Sequence, residues 1–275
     1  MKQIIYRFLV MLVGIWVAGC STPEKTPVGE MRVFRVTQAD LSGRMFSEIW
    51  TAPRFESLGK QEIPSEYFDR AMHSSDSRFS TVSFSRLLEQ FPLKRGEDAV
   101  LLNCFDDYQG ILSLDDIHRY DLRLATSIKL SFFSKKPDWM NPLLIVVPNS
   151  KHPPFQERFM TANIRELKFI RLNDYYAPLD KLAGSSMKAK QGLETFKNNC
   201  LFCHSLKGRG GNKGKRLLEA YDFSNNVGRK KFLMGFKKFH HKGNPDKQNV
   251  EQFVTFEKLE KVAGFLRIVF ERESR

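Results

Sequence analysis

Cys200-Leu201-Phe202-Cys203-His204 is the stretch on which the fold and function of this chain turn. Residues three apart share a face of a helix. Both thiols can therefore reach the two vinyl groups of one haem while His204 turns its ring toward the iron. The run predicts a single covalent haem c held by Cys200 and Cys203, with His204 as the proximal iron ligand. A structural zinc site would need four ligands, usually from a second Cys or His pair, and the other cysteines are only Cys20 and Cys104. A redox dithiol of the thioredoxin kind calls for a βαβ pattern and no obligatory neighbouring histidine.

The flanks of the motif read as helix. Gly192 and Phe196, four apart, place a small residue and then an aromatic on the face that runs into Cys200. Near the end of the chain, Leu259, Val262, Leu266 and Val269 form one apolar stripe. Between them, residues 205–217 are rich in glycine and lysine, without the Walker spacing, because Arg209 stands where the first glycine is needed.

Together these features resemble class I cytochrome c, in which the first and last helices cross through a small-residue contact. Gly192 and Phe196 match the first helix, and Gly264, Phe265 and Leu266 the last. The resemblance implies an all-α haem domain over residues 185–275. It also implies a loop ending in Gly-Pro-x-Leu behind the proximal histidine. Lys215 occupies the proline position, and a backbone carbonyl there is still expected to accept from the imidazole N–H. A methionine ligand is implied near Val250, ahead of Phe253, and none is present. His241, Met234 and His240 are the candidates for the sixth position, with His241 placed first because Gly243, Asn244 and Pro245 follow it in a loop. An open or water-filled position is the further alternative. A His/His haem would have a lower potential than His/Met, and an open site would bind small ligands.

Hydrophobic content of 41% and charged content of 27% are ordinary for a globular protein; the net charge of +13 is not. From Ser185 onward, 20 lysines and arginines stand against 9 acids, so +11 of that excess lies in the haem region. Such a field favours nucleic acid, an anionic membrane or an acidic protein. Compartment separates them. Lys2 and Arg7 precede an apolar run of about ten residues, Phe8 to Val17, and then Ala18-Gly19-Cys20, a secretory signal too short to span a bilayer. Val17-Ala18-Gly19-Cys20 resembles the lipobox of bacterial lipoproteins, which implies lipidation of Cys20 and, with Ser21 rather than Asp following, periplasmic anchoring at the outer membrane. Residues 21–30 read as a tether. Export removes nucleic acid as a partner.

Residues 31–180 read as an α+β domain. Alternating or apolar runs at 31–36, 79–84, 99–104, 143–147 and 164–172 predict strands. Their order resembles the molybdopterin-binding domain of the sulfite-oxidase superfamily, with TVSFSRLL, VLLNCFDDYQG, PLLIVVPN and NIRELKFIRL as the matching pieces. The metal-ligating cysteine of that family lies upstream of the first piece, where residues 31–80 contain no cysteine, and Cys104 is on another strand. Molybdopterin and molybdenum are therefore not expected, and Cys104 reads as a buried structural thiol. Asp106, Asp107, Asp115 and Asp116 read as solvated turn acids, and His73, His118 and His152 lie outside any metal spacing.

The expectation is thus a two-domain protein, α+β followed by an all-α class I cytochrome c domain. It would be a lipid-anchored periplasmic monohaem electron carrier rather than an enzyme, docking an acidic redox protein, with the N-terminal domain a docking module. The alternatives are a haem-linked molybdopterin-type oxidoreductase and haem-based ligand sensing.

Overall fold

The computed structural model describes residues 32–39, 42–91, 96–131, 136–241 and 250–273. The signal at 1–20 with Cys20 and the tether at 21–30 lie outside the described residues. Strands β1 (Val33–Ala39) and β2 (Met45–Thr51) form an antiparallel pair. Helix α1 (Ala52–Glu56) follows, then β3 (Gln61–Pro64), α2 (Glu66–Met72), β4 (Arg78–Ser83) and α3 (Phe84–Leu88). Next come β5 (Ala99–Cys104), β6 (Gln109–Ser113), α4 (Leu114–Arg119), β7 (Arg123–Lys129), β8 (Leu144–Val146) and β9 (Ile164–Ile170). One sheet runs β2-β1-β9-β5-β6 and the second β3-β4-β7-β8. Strand β9 pairs parallel to β1 and antiparallel to β5, so the last strand in sequence is central in space. Its inward residues Ile164, Leu167 and Phe169 are buried, as a strand covered by the core requires.

The strand expectations near 79–84, 99–104, 143–147 and 164–172 all fall on strands, with the last ending at Ile170. There the chain turns into α5 (Leu172–Ala183), then α6 (Met187–Asn199), α7 (Leu217–Ala220), α8 (Asn226–Phe239) and α9 (Phe256–Glu273). Ser186 caps α6 through the Ala189 N–H, and Asn225 caps α8 through the Gly228 N–H at 2.9 Å. Each cap satisfies one of the donors that a helix start leaves open.

The expectation of two domains, α+β and then all-α class I cytochrome c, is overturned here. Arg32–Arg275 form one compact mixed α/β unit containing both sheets and all these helices. The reason is physical and local to the expected boundary. Helix α5 covers residues 172–183, and only Gly184, Ser185 and Ser186 separate it from α6, so no linker exists there. The haem motif itself is built into the sheet core, since Phe202 and Cys203 share one buried cluster with Val100, Leu102, Cys104 and Leu167. Burying a side chain such as Phe202 contributes roughly 1.5–3 kcal/mol. Conversely, Ala71 and Met160 from the sheet-bearing half belong to the cluster formed by α6 and α9. Backbone bonds stitch the two halves together: the Gln109 N–H donates to Phe202 O at 3.0 Å and the Asn212 N–H to Asp107 O at 2.9 Å.

Candidate haem-attachment site

Helix α6 delivers the motif. Cys200 caps it with its N–H on Phe196 O at 2.9 Å, and the Cys203 and His204 N–H groups both donate to Cys200 O, at 3.2 and 2.9 Å. The motif therefore forms one further turn in which the two thiols, three residues apart, face a common cleft. Helix α6 is held against α9, with Gly192 at the crossing and the Phe196 and Phe265 rings 6.0 Å apart.

Behind the motif, the glycine-rich loop closes on His204. The Gly214 N–H donates to Cys203 O at 2.7 Å, and a Cβ at Gly214 would stand 2.5 Å from the His204 ring. Only a residue without a side chain lets the backbone lie flat on the imidazole there. The next residue completes the arrangement: His204 Nδ1–H donates to Lys215 O at 2.7 Å. The carbonyl expected to replace the proline-held one is thus in place, and this bond fixes the tautomer whose Nε2 carries the lone pair.

The cleft has a volume of about 350 Å³ and an apolar lining that includes Leu217, Phe232, Phe236, Phe239 and Val250. His204 and His240 both line it, their ring centres 6.1 Å apart. His240 ends α8, its Nδ1–H donates to Phe236 O at 3.1 Å, and its ring stacks on Phe236 at 4.7 Å. Two imidazoles sharing a metal at roughly 2 Å each would have ring centres about 6 Å apart. The donor set and apolar walls are therefore compatible with a haem held by Cys200, Cys203 and His204, with His240 on the same lining. His241 is exposed, and Met234, on the outer face of α8, is 70% exposed. Neither lines the cleft. Val250, where the methionine ligand is missing, does line it.

The wall nearest the sheets is Tyr108, from the turn between β5 and β6. Its hydroxyl lies beside Cys203, and burial pushes its pKa far up. Burial also pushes the Cys200 thiol up to about 12, the reverse of the lowering that a reactive dithiol uses. Cys104 is buried at the end of β5 and, held away from water, is likewise raised. Among the described residues, no three His, Cys, Asp or Glu side chains converge as metal ligands.

Tyr108 and Glu157 were not indicated by the sequence pattern, because each is single and lies more than 40 residues from the motif. Of the four turn acids, Asp107 and Asp115 are exposed as expected, whereas Asp106 and Asp116 differ. Asp106 pairs with Lys213 at 3.1 Å, and Asp116 with Arg158 at 2.5 Å, all four side chains being largely covered. The lone histidines His73, His118 and His152 lie outside the cleft lining.

With this geometry defined, comparison with known proteins adds nothing further: no protein-family model matches the chain, and no curated protein matches it.

Proposed function

We propose that this protein is a monohaem c-type electron carrier, with Cys200 and Cys203 attaching the haem, His204 ligating the iron proximally and His240 distally. One observation carries the reading: two histidines with ring centres 6.1 Å apart line the same largely apolar cleft as both motif thiols, each ring held by a backbone carbonyl through Nδ1. A haem so held supplies one-electron redox chemistry. The chain's own residues set its conditions. Two neutral imidazoles keep the potential below that of a His/Met pair, and Leu217, Phe232 and Phe236 give the cleft apolar walls. The sheets adjoin the site through Tyr108, which lines the cleft, and anchor the motif through Phe202 in their core, rather than forming a separate docking module, and no molybdenum chemistry is proposed for them.

Helix α8, which ends in His240, exposes Lys230, Lys231, Lys237 and Lys238 beside the exposed Met234. A basic rim with an apolar centre close to the cleft suits brief docking of an acidic redox protein. The signal-like N-terminus and Cys20 favour lipid anchoring in the periplasm. The experiment is the absorption spectrum of protein expressed with periplasmic export, oxidised and reduced, with a pyridine haemochrome assay. Covalent haem with low-spin bands and no sulfur-to-iron charge-transfer band is expected. A strong charge-transfer band would return the sixth position to Met234, and absence of covalent haem would overturn the reading.

A further inference from the structure

A second and much smaller cavity, of about 20 Å³, is lined by Asp106, Tyr108, Glu157 and the motif's Phe202 among others. That is room for about one water molecule. Two carboxylate oxygens in these lining side chains, Asp106 Oδ1 and Glu157 Oε2, are fully buried and lack a hydrogen-bond partner, and beside them the buried Tyr108 hydroxyl has only the Cys203 sulfur. Buried polar atoms are nearly always paired, so two orphaned oxygens on one small cavity call for an explanation. Tyr108 lines both this cavity and the haem cleft, and so connects them.

We propose that Glu157, with Tyr108 and Asp106, forms a proton-loading site adjoining the haem cleft. Glu157 takes one proton from solvent when an electron reaches the haem, and releases it when the electron leaves. The inference rests on the haem reading given above. Glu157 begins the short 3₁₀ turn Glu157–Met160 and is 5% exposed. Burial pushes its carboxyl up to about 8, where a small change of nearby charge decides its protonation.

The surrounding groups leave that decision to the haem. From the end of α6, Cys200 faces Glu157, and it carries no charge once bound in a thioether. From the β5–β6 turn come Tyr108, neutral, and Asp106, neutralised by Lys213 at 3.1 Å. Arg158, the next residue, is engaged by Asp116 of α4 at 2.5 Å. On α6, Lys197 is held by Asp180 and Glu194 at 2.8 and 3.0 Å. Strands β6 and β8, which also adjoin the turn, contribute no titratable side chain.

The balance is one electron from the redox partner, or from an electrode, to the haem, and one proton from solvent to a Glu157 carboxylate oxygen. The reverse pair leaves on oxidation. An electron arriving nearby acts as a like charge and favours the neutral acid.

The test uses the full haem-loaded chain, with haem attachment first established by pyridine haemochrome. The midpoint potential is then measured by spectroelectrochemistry across pH 5–9 for wild type, Glu157→Gln and Glu157→Asp. Each pH unit is a tenfold change in proton concentration, or about 59 mV for a one-electron couple. The wild-type potential is expected to fall with pH at a slope approaching that value, and E157Q to lose the slope. A redox difference infrared spectrum should show a protonated-carboxyl band in wild type and none in E157Q. Should E157Q not fold, E157D decides: a displaced pH profile supports the site, and an unchanged one overturns it. Equal slopes in wild type and E157Q, with haem attached to both, overturn the proton site and leave the haem reading standing. A chain without covalent haem overturns both.

Discussion

Alanine in place of Gly192 gives a sharp test of how α6 and α9 cross. A Cβ at this position would stand 2.2 Å from the Lys261 carbonyl oxygen and 2.7 Å from Phe265 Cβ. Both atoms belong to the α9 backbone or its root, so no side-chain rotation relieves the contact and the helices must separate. Alanine gains about 1 kcal/mol of helix propensity over glycine. Overfilling a close-packed contact costs about 1–3 kcal/mol, and a rigid backbone partner places this site at the upper end. The net expectation is a loss of about 1–2 kcal/mol, which in a body of this size lowers Tm by roughly 2–8 °C. Gly264 provides the control. It lies in α9 with nothing within 4 Å of its would-be Cβ, so Gly264→Ala keeps the propensity gain and raises Tm by roughly 2–4 °C. Calorimetric melts of the two variants under identical conditions are the assay. A Gly192→Ala protein as stable as wild type, or a Gly264→Ala protein lowered by the same amount, would refute the crossing described above.

Further outcomes follow from the site. Replacing His240 by alanine should convert the oxidised spectrum from low to high spin and admit carbon monoxide to the reduced protein quickly, whereas His241→Ala and Met234→Ala should leave both readouts unchanged; a reversed ranking would reassign the distal ligand. In protein prepared without haem, Glu157 holds its proton up to about 8 when folded but only to the ordinary carboxylate range when unfolded. The native state therefore binds more protons between those limits, and the urea midpoint should fall as pH rises from roughly 4.3 toward 8. Glu157→Gln should flatten that part of the profile, and an unchanged slope would place the buried charge elsewhere. Tyr175 accepts from the Gly210 N–H at 2.8 Å and donates to Gln109, which ties the glycine loop to the sheet. Tyr175→Phe should reduce stability by about 1–2 kcal/mol in denaturant titration. A change near zero would show that Gln109, which Gly210 also reaches at 3.1 Å, holds the loop without it.

Much of the C-x-x-C-H segment could be read from local pattern. The C-x-x-C-H spacing needs only one helical turn, and the Lys215 carbonyl lies eleven residues from His204 in the same loop, so neither depends on distant chain. The strands were equally legible, because alternation and apolar runs at 79–84 and 99–104 reflect burial along a single strand. Helix α5 was not. Its buried residues within 172–183 are only Leu179 and Ala183, and Pro178 interrupts the helical pattern, so the segment resembled a boundary. Missing it divided one body into two domains.

What the amino-acid order determined by itself is the C-x-x-C-H spacing, the basic field around it and the small residue at Gly192. Tertiary structure decided which of the two neighbouring histidines lines the cleft with His204. His240 and His241 are chemically identical neighbours, and only the direction in which α8 ends turns one inward and leaves the other exposed. It also decided that Asp106, Tyr108 and Glu157 share a cavity, since strand order brings residues about 50 positions apart to one place. Periodicity reports how one element meets water. Which elements meet each other depends on sheet order and helix direction, and single residues far apart in sequence carry no repeating signal of that meeting.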